Sequence, residues 1–256
     1  MRAVLSLLAF VALWWIAVLV FAVPEYLVPS PPALAQKFWF LTTQAGLFGH
    51  VPVTLMEILV GFVIGAVVGV ALAVLFVRFP LVEIVLNPII IFVQTAPKIA
   101  IAPLLLLWLG LGAAPKVVLV AIVVFFPVLS NMVSALRSID PNYLALAKIL
   151  HMNGWSRLWR IELPQALPLL FTGLKVGVTL AVTAAVIGEL MGARAGLGYL
   201  LSLGQETADI GLVLVSVILL SLLGYGLYVA VDALERRMLR WHESTAARDR
   251  LALEAG

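Results

Sequence analysis

No cysteine occurs anywhere in the 256 residues, which excludes disulfides, thiolate metal sites and a cysteine nucleophile. Charge is scarce too. Asp, Glu, Lys and Arg make up 11% of the chain, against roughly 25% in an ordinary soluble domain. Histidine occurs only at His50, His151 and His242, far apart in segments that read as loops, so neither a zinc site nor a histidine-based triad is expected. The patterns GxxxxGK[ST], HExxH and GxSxG are all missing, which removes a phosphate-cradling loop, a metalloprotease helix and a nucleophile elbow. What the chain has instead is apolar residues: 64% of the total, with a mean hydropathy of +1.16. The net charge of +3 reads as basic loops on one side of a bilayer rather than as a nucleic-acid footprint.

A membrane span needs about 20 apolar residues. The runs predict an all-α, polytopic membrane helical bundle of about six transmembrane helices, one transmembrane domain over residues 1–256 with no separate catalytic unit. The expected spans are about 3–24, 56–77, 84–113, 116–136, 167–191 and 209–232. The first exceeds the 7–15-residue core of a secretory signal and reads as a retained span. The third is interrupted by Pro88, Pro97, Lys98 and Pro103, so a broken or kinked helix is expected there. In lipid the freed backbone groups must face protein or water, which points the break toward the interior and a pathway. With the N-terminus inside, eleven Lys and Arg residues fall on the cytoplasmic side and only Lys37, Lys116 and Arg194 on the other. That asymmetry places both termini in the cytoplasm, with a cytoplasmic loop at 137–163 and a cytoplasmic tail at 235–256.

Gly61, Gly65 and Gly69 recur at the spacing that lets membrane helices approach closely. Glu57, Lys98, Lys175 and Glu189 are the ionisable residues near membrane depth, and each is costly to bury there. Lys175 and Glu57 can reach an interface, Lys175 by snorkelling. Lys98, in the proline-broken segment, can meet an anionic solute, pair with Glu57 or Glu189, or cap the broken helix. The outer stretch after Pro29–Pro32 carries Phe38, Trp39 and Phe40 and should lie along the interface.

The cytoplasmic loop runs Pro141-Asn-Tyr-Leu-Ala-Leu-Ala-Lys-Ile-Leu-His-Met-Asn-Gly-Trp155, then Ile161, Leu163 and Pro164. This resembles the coupling loop of binding-protein-dependent ABC importer permeases, Glu-Ala-Ala-x3-Gly-x9-Ile-x-Leu-Pro. Ala145 stands at the Glu position, Leu146 and Ala147 at the two alanines and His151 at the glycine; Asp140 is left to cap the segment. Pro103–Gly112, Phe125-Phe126-Pro127, Leu136–Pro141, Gly188-Glu189-Leu190 and Gly196-Leu197-Gly198-Tyr199 look like the nitrate/sulfonate/taurine type, so the similarity spans about Leu27 to Trp241. Gln94-Thr95-Ala96-Pro97-Lys98 looks nearer to relatives that carry pyrimidine thiamine precursors, riboflavin or aromatic acids.

The resemblance implies the type I importer permease fold in a bacterial inner membrane. Two copies would form the pathway, with the third and fifth spans near the two-fold axis. Ala145, Leu146, Ala147, His151, Gly154, Ile161, Leu163 and Pro164 would engage an ATP-binding cassette ATPase. That partner uses ATP and Mg, and no cofactor or metal is expected in this chain. An extracytoplasmic solute-binding protein would dock on the loops Pro29–His50 and Arg194–Asp209, and membrane lipid is a further partner. Gln94, Thr95, Lys98, Glu57 and Glu189 are the candidates for the translocation pathway. The solute would be a small organic or inorganic anion (sulfonate, taurine, nitrate) or a vitamin precursor such as a pyrimidine. The alternative is an ion-gradient-driven transporter or channel without an ATPase, with Glu57 and Glu189 as its membrane-depth carboxylates. No acid, base and nucleophile cluster to suggest an enzyme.

Overall fold

The computed structural model describes residues 2–239, and all regular structure among them is helical. The expected tail beyond residue 239, with His242, lies outside the described residues. In chain order the helices are α1 (Arg2–Val20), α2 (Pro31–Gln44), α3 (Val51–Arg78), α4 (Pro80–Thr95), α5 (Lys98–Leu109) and α6 (Ala114–Arg137). They continue as α7 (Pro141–Ile149), α8 (Gly154–Arg157), a π turn (Leu158–Glu162), α9 (Leu163–Leu190), α10 (Leu197–Glu206) and α11 (Ile210–Met238). Four stretches are long and apolar enough to cross a membrane: Leu47–Arg78, Ala114–Arg137, Gly154–Leu190 and Ile210–Met238. The bent pair α4 and α5 makes a fifth, and α1 contributes the shorter apolar stretch Leu8–Val20.

The third span is broken, and at one proline of the three. Pro88 and Pro103 lie inside α4 and α5, whereas the chain turns by 100° at Ala96-Pro97. Ala96 takes the extended conformation (φ −60°, ψ 138°), which the residue before a proline prefers because the ring crowds its helical alternative. Pro88 and Pro103 follow residues that stay helical, and each removes one hydrogen bond without ending its helix.

The centre of the bundle is α3, α6 and α9. Lipid offers no hydrophobic drive for helix association, so contact depends on close approach. A Cβ at Gly61 would lie 2.7 Å from the carbonyl oxygen of Val117, and one at Gly69 would lie 3.0 Å from that of Phe125. The glycine face of α3 therefore seats directly on the backbone of α6, with Ile58, Val120, Val124, Ala181 and Ala185 closing the core around it. The opposite face of α3, with Val63 and Val67, is left exposed for lipid.

Two short elements stand at the ends. The aromatic stretch expected at the outer interface forms α2, whose N-terminus is capped by Ser30, which accepts from the Ala33 N–H. The Arg194–Asp209 segment, read from sequence only as a loop, contains α10, packed on α9 and α11.

Candidate functional site

The segment after α6 is built as an elbow capped at both ends of its first helix. Asp140 caps α7 by accepting the Asn142 N–H at 2.8 Å. At the other end His151 adopts φ +48°. The Met152 N–H donates to the Ala147 carbonyl and the His151 N–H to that of Lys148, both at 3.0 Å, the paired closure that ends many helices on a left-handed residue. That position carries glycine in the signature the loop resembles, and a left-handed φ is the conformation that glycine adopts without strain. Ala147 is buried, and Leu144 and Leu163 pack with Ala73, Phe76, Leu129 and Met132 at the end of the bundle. Ala145, Leu146, Ile149 and Leu150 face outward, with Ile149 72% exposed. Gly154 opens α8, and Ile161, Leu163 and Pro164 are half-buried at the junction with α9.

Sequence reading missed what holds this elbow to the spans. Glu162 is buried and accepts from Arg78 Nη2 at 2.6 Å at the end of α3, and it pairs with Arg157 Nε at 2.7 Å. Arg78 also reaches the Gly154 carbonyl at 3.4 Å. The available signal was a lone carboxylate among Arg157 and Arg160; Arg78 and Arg157 had counted only as topological charges.

The break between α4 and α5 opens a cavity of about 670 Å³, bordered by Gln94, Pro97, Lys98, Phe126, Asn131 and Thr183 among others. Lys98 donates to the Gln94 carbonyl across the bend, so it caps the broken helix while bordering the cavity. Thr95 turns its hydroxyl back to the Phe92 carbonyl at 2.9 Å and does not border that cavity. On α9, Val176 and Thr183 border this cavity, and Thr172 and Thr179 are exposed on the same side of the helix.

Glu57 and Glu189 lie elsewhere, in a buried network at the α10 end of the bundle. Glu57 pairs with Lys116, and both are nearly sequestered from solvent. Gly188 makes room for this, since a Cβ there would lie 2.8 Å from Lys116 Cγ. Glu189 accepts the Thr54 hydroxyl at 2.7 Å and the Gly198 N–H at 2.5 Å. Thr54 in turn accepts the Leu197 N–H at 2.8 Å, and His50 Nδ1 accepts that of Gly196 at 3.1 Å. Three successive N–H groups at the start of α10 thus end on side chains of α3, its preceding turn and α9, where unpaired donors would be costly. Lys98 pairs with neither carboxylate. Lys175, on α9, pairs with Asp232 and Glu235 of α11.

Outside the spans, Asp209 caps α11 through the Leu212 N–H and pairs with Lys37 of α2. Burial alone would raise its pKa, but the Lys37 ammonium and the backbone N–H groups outweigh it and hold the carboxyl below the usual aspartate value.

Residues 61–240 match the family described as binding-protein-dependent transport system inner membrane component. The chain is 35% identical over 239 residues to the riboflavin transport system permease protein RibX of Chloroflexus aurantiacus, covering 93% of this chain and 89% of that one. It is 32% identical over 239 residues to the formylaminopyrimidine transport permease protein ThiX of Halalkalibacterium halodurans, covering 93% and 95%. Its fold matches that of a chain in inward-facing conformations of the MetNI methionine ABC transporter, with a TM-score of 0.66 at 21% identity over 77% of this chain and 98% of that one. An apolar helical bundle with a broken third span, a braced elbow after α6 and these relatives lead to one assignment: the chain belongs to the binding-protein-dependent inner membrane components, and is a multi-pass permease of an ABC importer rather than an enzyme.

Proposed function

We propose that this chain forms half of the translocation pathway, and that its α7–α8 elbow takes up the motion of a separate ATP-binding cassette ATPase, which binds the ATP and Mg. The observation that carries this reading is the elbow itself. It shows Leu146, Ile149 and Leu150 to the outside while an N-cap, a left-handed C-terminus and the Arg78–Glu162–Arg157 cluster fix it to the spans. An apolar face on a firmly mounted helix suits insertion into a partner's groove, and a firm mount transmits a push as rigid-body motion.

Two copies would place the open faces of α4–α5 and α9 toward each other, so that the cavity at the α4–α5 break, with Gln94 and Lys98, lines the pathway and Thr95 sits at its bend. Glu57 and Glu189 would then act at the outer end, holding α10 where an extracytoplasmic solute-binding protein docks. The basic elbow end would be cytoplasmic, with both termini on that side. The cargo would be a small organic anion or a vitamin precursor. The names of the riboflavin and formylaminopyrimidine relatives favour a ring compound, and the mainly apolar walls of the cavity around Phe126 and Pro97 suit one.

The test replaces Ile149 with Glu in the chain reconstituted with its ATPase in proteoliposomes. Loss of transporter-stimulated ATP hydrolysis, with the melting temperature of the permease unchanged, is expected. Stimulation equal to that of the parent would overturn the coupling role.

A further inference from the structure

Polar side chains are sparse on these helices, yet on facing sides of α4 and α6 they line up. Below the cavity at the α4–α5 break, toward the α7 end, a second cavity of about 270 Å³ is bordered by Glu83 and Asn87 of α4 and Ser134 of α6. Gln94, Phe126 and Ser130 border both cavities, so the two adjoin and make one lane. Glu83, Asn87 and Gln94 fall on one face of α4 by helical spacing. In lipid such groups would lack partners, whereas along a watered lane they have them. At the end that carries α7, Arg137 in the last turn of α6 donates to Glu83 in the first turn of α4. This ion pair is only partly screened from solvent, with Arg137 53% exposed.

We propose that, on its side of the pathway shared by the two copies, each subunit guides solute along this lane, from the cavity at the α4–α5 break past Gln94 and Ser130 to Asn87 and Ser134, and that the Glu83–Arg137 ion pair closes its inner end. The proposal rests on the permease reading above and adds residues to it. One ammonium, Lys98, stands at the outer end. Amides and hydroxyls follow, and the exit carries a carboxylate already matched by an arginine. That sequence of groups suits a solute with carbonyl, amide or hydroxyl groups and at most one negative charge. A multiply charged anion would find a single cation at entry and a carboxylate at exit.

The cysteine-free chain gives a clean background for the test. Ser134→Cys is placed in the permease assembled with its ATPase in inside-out vesicles, without nucleotide, and labelled with a membrane-impermeant methanethiosulfonate cation. Val67→Cys, on the lipid-facing side of α3, is the control. Adding Arg137→Gln should raise the labelling rate about three- to fivefold, the factor for a partly exposed ion pair of up to about 1 kcal/mol. The exchanged pair Glu83→Arg with Arg137→Glu should return the rate to that of the parent, with Val67→Cys unreactive throughout. Equal rates in all three backgrounds overturn the lane and its gate. ATPase stimulation by the parent chain is read on the same vesicles. Its absence overturns the permease reading, while intact stimulation with flat labelling overturns only this proposal.

Discussion

Glu189 and Gly198 lie nine residues apart in sequence, and the N–H of the second ends on the carboxylate of the first at 2.5 Å. No side chain would fit at 198: a Cβ there would stand 2.8 Å from that of Glu189. At Gly196, φ +120°, an added Cβ would run into the carboxylate itself. The Gly196-Leu197-Gly198 run is therefore the shape of a turn that delivers three backbone donors to α3, its preceding turn and α9. The carboxylate also sits at the N-terminus of α10, where a negative charge is favoured.

Glu189→Ala should detach the start of α10. It leaves the Thr54 hydroxyl and the Gly198 N–H without their buried acceptor, a loss of about 1–3 kcal/mol. The expected outcome is a lower melting temperature in detergent together with new protease cleavage between residues 192 and 206. Glu189→Gln keeps one acceptor oxygen and should fall between the parent and the alanine variant. An alanine variant as stable as a Val67→Ala control would contradict the latch.

Acid should loosen the same end of the molecule at a different joint. The folded pKa of Asp209 is depressed, so the stability it gives is fully present above the ordinary aspartate value of 3.8 and is lost as pH falls through the lower folded value. The Lys37–Asp209 pair links α2 to α11. Melting temperatures measured from pH 7 down to pH 3 should fall for the parent at the acid end, and Asp209→Asn should flatten that part of the curve. An identical acid slope in both proteins would remove Asp209 from the account.

How much of this was legible in the sequence depends on how far each signal reaches along the chain. The glycine period of α3, the apolar runs and the break in the third span are local patterns and could be read. Which proline breaks the helix could not, because Pro88, Pro97 and Pro103 look alike until the conformation of the preceding residue is known. The Asp140 cap could be anticipated from its place before Pro141. The pairing of Lys116 with Glu57 and the clasp of Glu162 by Arg78 join residues far apart in sequence, and those basic residues look like loop charges when only topology is counted. The cavity at the α4–α5 break was foreshadowed by Gln94 and Lys98. Its continuation through Asn87 and Ser134 was not, since a single Asn or Ser carries no signal until two helices face each other.

His151 offers the sharpest test of the elbow, because its strain can be relieved without touching a contact. A left-handed conformation costs a non-glycine residue roughly 1–2 kcal/mol, and glycine adopts it freely. His151 holds φ +48° and its side chain is exposed, so replacing it removes strain and no buried packing. His151→Gly should raise the melting temperature of the permease, the gain trimmed by the greater entropy of an unfolded glycine. His151→Val, β-branched at a positive φ, should lower it. The two closing bonds, from Met152 to Ala147 and from His151 to Lys148, are backbone bonds and survive in either variant that folds. Coupling should therefore follow the mount rather than the imidazole: His151→Gly is expected to keep ATPase stimulation and His151→Val to reduce it. If glycine instead abolished stimulation while stabilising the chain, the imidazole itself would have to be part of the contact with the ATPase, and the elbow would be more than a rigid lever.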